Sequence, residues 1–360
     1  MPKTFTEDEV GERIEEIRRR APRFRDERIT MAHGAGGKAS RALVEGLVVP
    51  LLHNPALAQL SDAAVLTAAG TTFAFTTDSF VVSPLRFPGG SIGELAVNGT
   101  INDLAVSGAR PLALSAALIL EEGLTAEVLE AEVRAMAEAS ARAGVPVVTG
   151  DTKVVERGKC DSLYITTTGI GLIEPGVVLA PQLVRPGDKV LVSGTIGDHG
   201  VAIMLARGQL DISADVESDT QPLWELTSVM LRAGGEALHC MRDATRGGVA
   251  TVLNEIAMSG EVGVVIAEDR VPLRPEVVGA GEILGIDPLY VANEGKLVAF
   301  VAADAADAVL EAMRAVPAGR DAAVIGEVRD EPPGRVLGRT AFGGHRMIDV
   351  LVGDPLPRIC

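Results

Sequence analysis

Short apolar runs of strand character alternate with helical periods along this chain, and the alternation runs through it twice. In the first half the strand-like runs are Ala63–Leu66, Thr72–Thr77, Leu112–Leu120, Val145–Val148 and Leu163–Ile170. Helical spacing occupies Ala39–Pro50 and about 126–143, where Gly144 offers a C-cap. A second half begins near Pro181. The turn Arg185-Pro186-Gly187-Asp188 leads into a strand at Lys189–Ser193, and helical patterns follow at His199–Arg207, Gln221–Ala233 and Val249–Met258. The alternation continues through Val328. The halves share this grammar without a strict repeat. Forty Gly and 20 Pro in 360 residues favour tight turns over long helices. Hydrophobic residues make up 47% of the chain, yet only eight are Phe, two Tyr and one Trp. The core must therefore be built from Ala, Val, Leu and Ile.

A net charge of −16 opposes nucleic-acid binding driven by phosphate neutralisation. Cys160, Cys240 and Cys360 form no pair at metal-ligand or redox-motif spacing, which fits a reducing cytoplasm. Cys160 and Cys240 read as small buried residues. The charged stretch from Met1 to Glu27 has no apolar h-region, and no apolar run is long enough to cross a membrane. Residues 1–28 read as a peripheral helical extension, with Thr6 and Glu9 at capping-box spacing and Val10, Ile14 and Ile17 at helical intervals.

The chemistry-bearing pattern is a scatter of aspartates, each at a turn after an apolar run or beside glycine. They are Asp62, Asp78, Asp103, Asp151 and Asp243. Strand-end carboxylates converging on one cleft could hold Mg²⁺ and a nucleotide without a P-loop; each taken alone also reads as a turn or cap. The loop Gly34–Lys38, with Gly36 and Gly37, offers backbone N–H groups and a cation ahead of a helix, which suits an anion or is simply a glycine turn. Lys153 follows Asp151 by two, so an extended backbone points both the same way, toward a phosphate or into a surface ion pair. Glu294, in Ala-Asn-Glu-Gly, is a candidate general base or a turn carboxylate. His33 reads as structural or as a reserve base. Cys360 ends a proline-stiffened tail, Asp354-Pro355-Leu356-Pro357-Arg358-Ile359-Cys360, that could extend roughly 20 Å at ~3.1 Å per residue. Arg358 favours its thiolate and the terminal carboxylate opposes it; burial as a core thiol is not expected.

Together these segments resemble the HypE family of hydrogenase maturation factors. That family lies within the superfamily of aminoimidazole ribonucleotide synthetase, selenophosphate synthetase and thiamine monophosphate kinase. The carrying segments are Met-Ala-His-Gly-Ala-Gly-Gly-Lys (31–38), Thr-Thr-Asp-Ser-Phe-Val-Val (76–82), the stretch 97–111, Gly-Asp-Thr-Lys-Val-Val (150–155), Asp-Ala-Thr-Arg-Gly-Gly-Val-Ala (243–250), Asn-Glu-Gly (293–295) and Pro-Arg-Ile-Cys (357–360). The terminal motif marks HypE; the others mark the superfamily. The resemblance implies an α+β, two-domain (PurM-like) fold, with domains at 29–180 and 181–335 and a flexible tail at 336–360. It implies a homodimer built through a barrel in the first domain. The ATP cleft would be lined by Asp62, Asp78, Asp103, Asp151 and Asp243, with Mg²⁺ held by them and Lys153 on the transferred phosphoryl group. The implied activity is ATP-dependent dehydration of an S-carboxamide on Cys360 to a thiocyanate. The carbamoyltransferase HypF would load the carboxamide, and the HypC–HypD complex would receive the cyanide. No nucleic acid or membrane is implied as a partner. Selenophosphate synthetase is the nearest rival but usually carries Cys or selenocysteine where this chain has Ala-Gly-Gly.

Overall fold

The computed structural model describes residues 23–52, 54–208, 215–353 and 358–360. The proposed capping box at Thr6 and Glu9 therefore lies outside the described residues.

The glycine loop leads into α1 (Lys38–Leu43), which continues through a π-helical turn at Val44–Val48. The first sheet has the order β1-β2-β7-β5-β6: β1 (Ala64–Ala68), β2 (Thr71–Phe80), β5 (Ala109–Glu121), β6 (Val147–Val155) and β7 (Leu163–Ile173). A small ribbon, β3 (Arg86–Phe87) with β4 (Gly90–Ser91), precedes the long helix α2 (Ile92–Val106). All pairings in the sheet are antiparallel except β5 with β6. A parallel pair needs a crossover, and α3 (Ala126–Ala143) supplies it. Thr125 caps its start, and Gly144 ends it in the left-handed region, the C-cap that the sequence predicts.

Apolar residues surround α2 on every face, so it cannot lie at a surface. It packs against β2, β5 and β7 on one side and against the second half of the chain on the other. Its polar residues are consequently held at fixed depth between the two halves.

The second sheet has the order β14-β13-β10-β12-β8-β11-β9: β8 (Lys189–Val192), β9 (Leu238–Asp243), β10 (Gly263–Ala267), β11 (Leu297–Val301), β12 (Ala323–Arg329), β13 (Arg335–Arg339) and β14 (His345–Ile348). Helices α4 (Asp198–Ala206), α5 (Trp224–Gly234), α6 (Gly248–Gly260), α7 (Pro275–Leu284) and α8 (Ala306–Arg314) accompany it. β9 and β11 are buried along their whole length. One apolar cluster crosses between the halves, joining Phe80, Leu95 and Ile101 to Val201, Ile203 and Val277, and it includes Ile359 from the terminus.

Two expectations about the C-terminus change. Residues 335–348 are not tail: β13 pairs in parallel with β10, and β14 pairs with β13, because Val336 and Ile348 complete the apolar face of the second sheet. The last residues are not free either. Arg358–Cys360 lie in a groove, with Ile359 only 4% exposed. Cys160 is partly exposed rather than buried, whereas Cys240 is buried.

Candidate active site

Strand ends and one helix bring four acidic residues together. Asp62 sits just before β1. Asp78 is on the face of β2 turned toward α2, Asp103 is on α2, and Asp243 is the last residue of β9. Thr76 ties two of them, its Oγ1 lying within hydrogen-bond distance of Asp103 Oδ2 at 2.7 Å and of the Asp62 carbonyl at 2.9 Å. Burial pushes all four carboxyls up from their ordinary range. Asp103 and Asp243 rise furthest, because the neighbouring carboxylates add their repulsion to the loss of water. Arg242 offsets part of this, with Nη1 on Asp62 Oδ1 at 2.8 Å and Nη2 on the Leu60 carbonyl at 3.1 Å. The remaining excess negative charge suits a cation.

Glu294 lies in the loop before β11 and is 3% exposed. Its carboxyl stands well above the ordinary range, from burial first and then from Asp78, Asp243 and Asp219. Its Oε1 has no hydrogen-bond partner, so this buried group is available to a ligand. Its backbone is fixed from two sides. Asn102 on α2 donates to the Glu294 carbonyl at 3.0 Å and to the Gln221 carbonyl at 3.1 Å, and accepts from Leu223 N–H at 2.8 Å. Asp219 accepts from Glu294 N–H at 3.0 Å and from Lys296 Nζ at 3.1 Å. Asp219 is a residue the sequence reading passed over: it follows a segment with no clear period and acquires meaning only beside Lys296.

Arg246 received no role from the sequence, although it lies in the Asp-Ala-Thr-Arg-Gly-Gly segment. Its charge interacts with Cys360, Asp78, Glu294 and Asp103. It lines two adjoining cavities. One, of about 150 Å³, also contains Ser79, Val81, Gly247, Tyr290 and Cys360. The other, of about 810 Å³, contains Gly36, Gly37, Arg41, Asp62, Arg242 and Asp243. Gly36 has φ +76°, and a Cβ there would meet the Arg246 backbone at 3.0 Å, so the glycine loop can close over this arginine only as glycine. Burial pushes the Cys360 thiol up to about 12, with Arg246 pulling the other way. The terminal thiol is thus neutral while docked.

The remaining candidates lie elsewhere or are occupied. Asp151 and Lys153 sit on the exposed edge strand β6 and pair with each other at 2.5 Å; the Lys153 hydrogen bond is the main cause that lowers the Asp151 carboxyl. Within one chain they do not join the other four aspartates. His33 is buried with both ring nitrogens engaged, Nδ1 by Thr30 N–H at 3.0 Å and Nε2 by Asp26 at 2.9 Å, so as folded it is not an available base. In the glycine loop, Gly36 N–H donates to Ser40 Oγ, Lys38 N–H donates to the Leu351 carbonyl, and Lys38 Nζ pairs with Asp349. The two Lys38 contacts anchor the segment before the tail. Among the described residues, no three His, Cys, Asp or Glu side chains converge closely enough to hold a metal ion by themselves.

Residues 60–173 match the family described as AIR synthase related protein, N-terminal domain, and residues 185–338 match its C-terminal domain. The carbamoyl dehydratase HypE of Rhodobacter capsulatus is 53% identical over 340 residues, covering 94% of this chain and 99% of that protein. A chain in the crystal structure of a HypE–HypF complex is 45% identical, with a TM-score of 0.82 over 86% of this chain and 100% of that one. The hydrogenase maturation protein HypE in complex with ATP is 44% identical, with a TM-score of 0.78 over 92% and 100%. The two-domain α+β architecture expected from the sequence is the one found.

Proposed function

The chain belongs to the HypE family of carbamoyl dehydratases of hydrogenase maturation, and from that premise we propose that it uses ATP to dehydrate an S-carboxamide on Cys360 to a protein-bound thiocyanate. One observation carries this reading. The terminal cysteine lies in a cavity that shares Arg246 with a larger cleft walled by Asp62 and Asp243, and the buried Glu294 is close enough to influence its charge.

In the balanced reaction, the thiocarbamate S–C(=O)–NH₂ and ATP give S–C≡N, ADP and inorganic phosphate. Bound Mg-ATP supplies the γ-phosphoryl group that turns the amide oxygen into a leaving group. Asp62, Asp78, Asp103 and Asp243 fit Mg²⁺ in partnership with phosphate oxygens, as their donor chemistry and excess negative charge require. Glu294 takes the N–H protons: burial and the neighbouring carboxylates raise its pKa, which makes its carboxylate a stronger base than an exposed one. Arg246 offsets negative charge developing on the departing oxygen. With His33 engaged at both nitrogens, Glu294 is the base of choice.

Asp151 and Lys153 enter this scheme from a second copy of the chain. β6 is an exposed edge strand with Val148 and Val154 open to solvent, and the outer face of the first sheet exposes Phe75, Ile119 and Ile170. Such an edge and face call for a partner. A homodimer closed through this sheet would carry the exposed Lys153 toward the neighbouring phosphoryl group. HypF would load Cys360, and HypC–HypD would take the cyanide, in the cytoplasm. The test is mass spectrometry of the C-terminal peptide after carbamoylation, before and after Mg-ATP. Loss of one water from the Cys360 adduct, only with ATP, is expected. ATP hydrolysis with an unchanged adduct overturns the reading.

A further inference from the structure

The last three residues are held in a manner that does not depend on their being joined to the chain. Each of their carbonyl oxygens has a donor. Val81 N–H donates to the Cys360 oxygen at 2.9 Å, His199 Nε2 to the Ile359 oxygen at 2.8 Å, and Arg207 Nη2 to the Arg358 oxygen at 2.8 Å. Arg358 in return donates from Nε to the Val81 carbonyl at 3.1 Å and pairs through Nη1 with Asp161 at 2.7 Å. Arg358 adopts φ +54°, a left-handed kink, and the Ile359 side chain enters the apolar cluster between the two halves.

His199 is built for this contact. It is fully buried, with Phe87 packed edge-on against it at 5.6 Å. A carbonyl only accepts, so Nε2 carries the proton and Nδ1 accepts from Ser218 Oγ at 2.8 Å. Ser218 Oγ in turn accepts from Thr220 N–H at 3.2 Å. The chain of bonds orients one neutral N–H at a backbone oxygen. Main-chain hydrogen bonds combined with a side-chain pocket are a recurring means of holding a short peptide segment.

We propose that the groove formed by Val81–Ser83, His199 and Arg207 is a binding site for a C-terminal peptide with a basic residue followed by an aliphatic one before the last position, and that it accepts such a peptide in trans. The proposal deepens the reading above by defining the substrate as a detachable peptide; its use in catalysis rests on that reading, whereas the binding does not. A tether of this length raises the local concentration of the tail to about the millimolar range, so the attached tail outcompetes a free one.

The test uses the full-length Ile359→Asp variant, which vacates the groove without touching its walls. The probe is a fluorescent heptapeptide ending Pro-Arg-Ile-Ser with a free carboxylate, followed by anisotropy. Saturable binding to Ile359→Asp is expected, at least ten-fold tighter than to wild type. It should weaken at least ten-fold when the probe ends Pro-Arg-Asp-Ser. Adding His199→Leu should weaken it similarly, with partial rescue by His199→Gln, which retains an N–H donor. An unchanged melting temperature in each variant certifies the fold. No binding to the vacated groove up to millimolar peptide, or equal binding of both probes, overturns the proposal. Either result leaves dehydration of the wild-type Cys360 adduct untouched, whereas failure of that dehydration with intact peptide binding counts against the proposed function alone.

Discussion

Glu294 and Cys360 illustrate how burial decides what a titratable group can do. A buried carboxyl surrounded by Asp78, Asp243 and Asp219 resists ionisation until pH is well above its ordinary value. If Glu294 is the base, turnover falls as pH drops through its raised pKa, because the protonated form cannot accept. Glu294→Gln should lower kcat by about 10²–10⁴-fold and abolish that acidic limb, measured as phosphate release from the carbamoylated protein. The Cys360 thiol is pushed up to about 12 when docked, against ~8.5 for a free cysteine. The docked state therefore holds its proton more tightly than the released tail. Docking is fully stable below ~8.5 and weakens by about ten-fold per pH unit above it. Carboxypeptidase trimming of the terminus, which needs a released tail, should accelerate correspondingly in wild type and not in Cys360→Ser.

At the scale of elements, the site depends on how closely helices approach their neighbours. The second glycine at the start of α6, Gly248, has φ +60°, and a Cβ there would come within 2.6 Å of the Leu289 and Val291 carbonyls. Backbone cannot move aside as a flexible side chain can. Gly248→Ala should therefore destabilise the protein by at least ~1–3 kcal/mol, read by denaturant titration, and disturb the loop that carries Arg246. α2 acts as the spine through Asn102. Asn102→Leu keeps the volume but strands the Gln221 and Glu294 carbonyls and the Leu223 N–H, at roughly 1–3 kcal/mol for each group left unpaired.

At the scale of the whole molecule, the acidic cluster works against folding unless something positive joins it. Asp62, Asp78, Asp103, Asp243 and Glu294 all have raised pKa values in the folded state. Their contribution is fully present below the unfolded carboxylate pKa and is lost as pH rises through the folded values. His199 pulls the other way: burial lowers it, so its contribution is lost as pH falls below about 6.5. Five carboxyls outweigh one imidazole. The melting temperature of the ligand-free protein should rise as pH is lowered from 8 toward 5, and Mg-ATP should remove most of that difference by stabilising the protein at pH 8. If Asp151 and Lys153 act across a dimer, mixing Lys153→Ala with Glu294→Gln should restore about a quarter of the wild-type rate, since half of the heterodimer sites are intact. Undiminished turnover by Lys153→Ala alone would place Lys153 outside the site.

Much of this was legible from local chemistry. The strand run Thr72–Thr77 just before Asp78, the helix at about 126–143 with its Gly144 cap, and the Gly34–Lys38 turn are nearest-neighbour matters, which sequence spacing records. Membership of the family was legible for the same reason, since its motifs are contiguous segments. What only the tertiary structure decided is which of those residues meet. Asp62 and Asp243 are brought together by the packing of two separate sheets, Asp219 matters because Lys296 folds onto it, and Arg246 because the terminus returns beside it. Asp151 and Lys153 carry the same local signature as the others yet lie on an exposed edge. The tail shows the limit most clearly: its prolines predict an extended segment, but the Ile359 pocket and the His199 donor exist only once β2 and α4 are side by side. Local propensity is set by a few neighbouring residues, whereas burial, charge and partnership are set by contacts hundreds of residues apart.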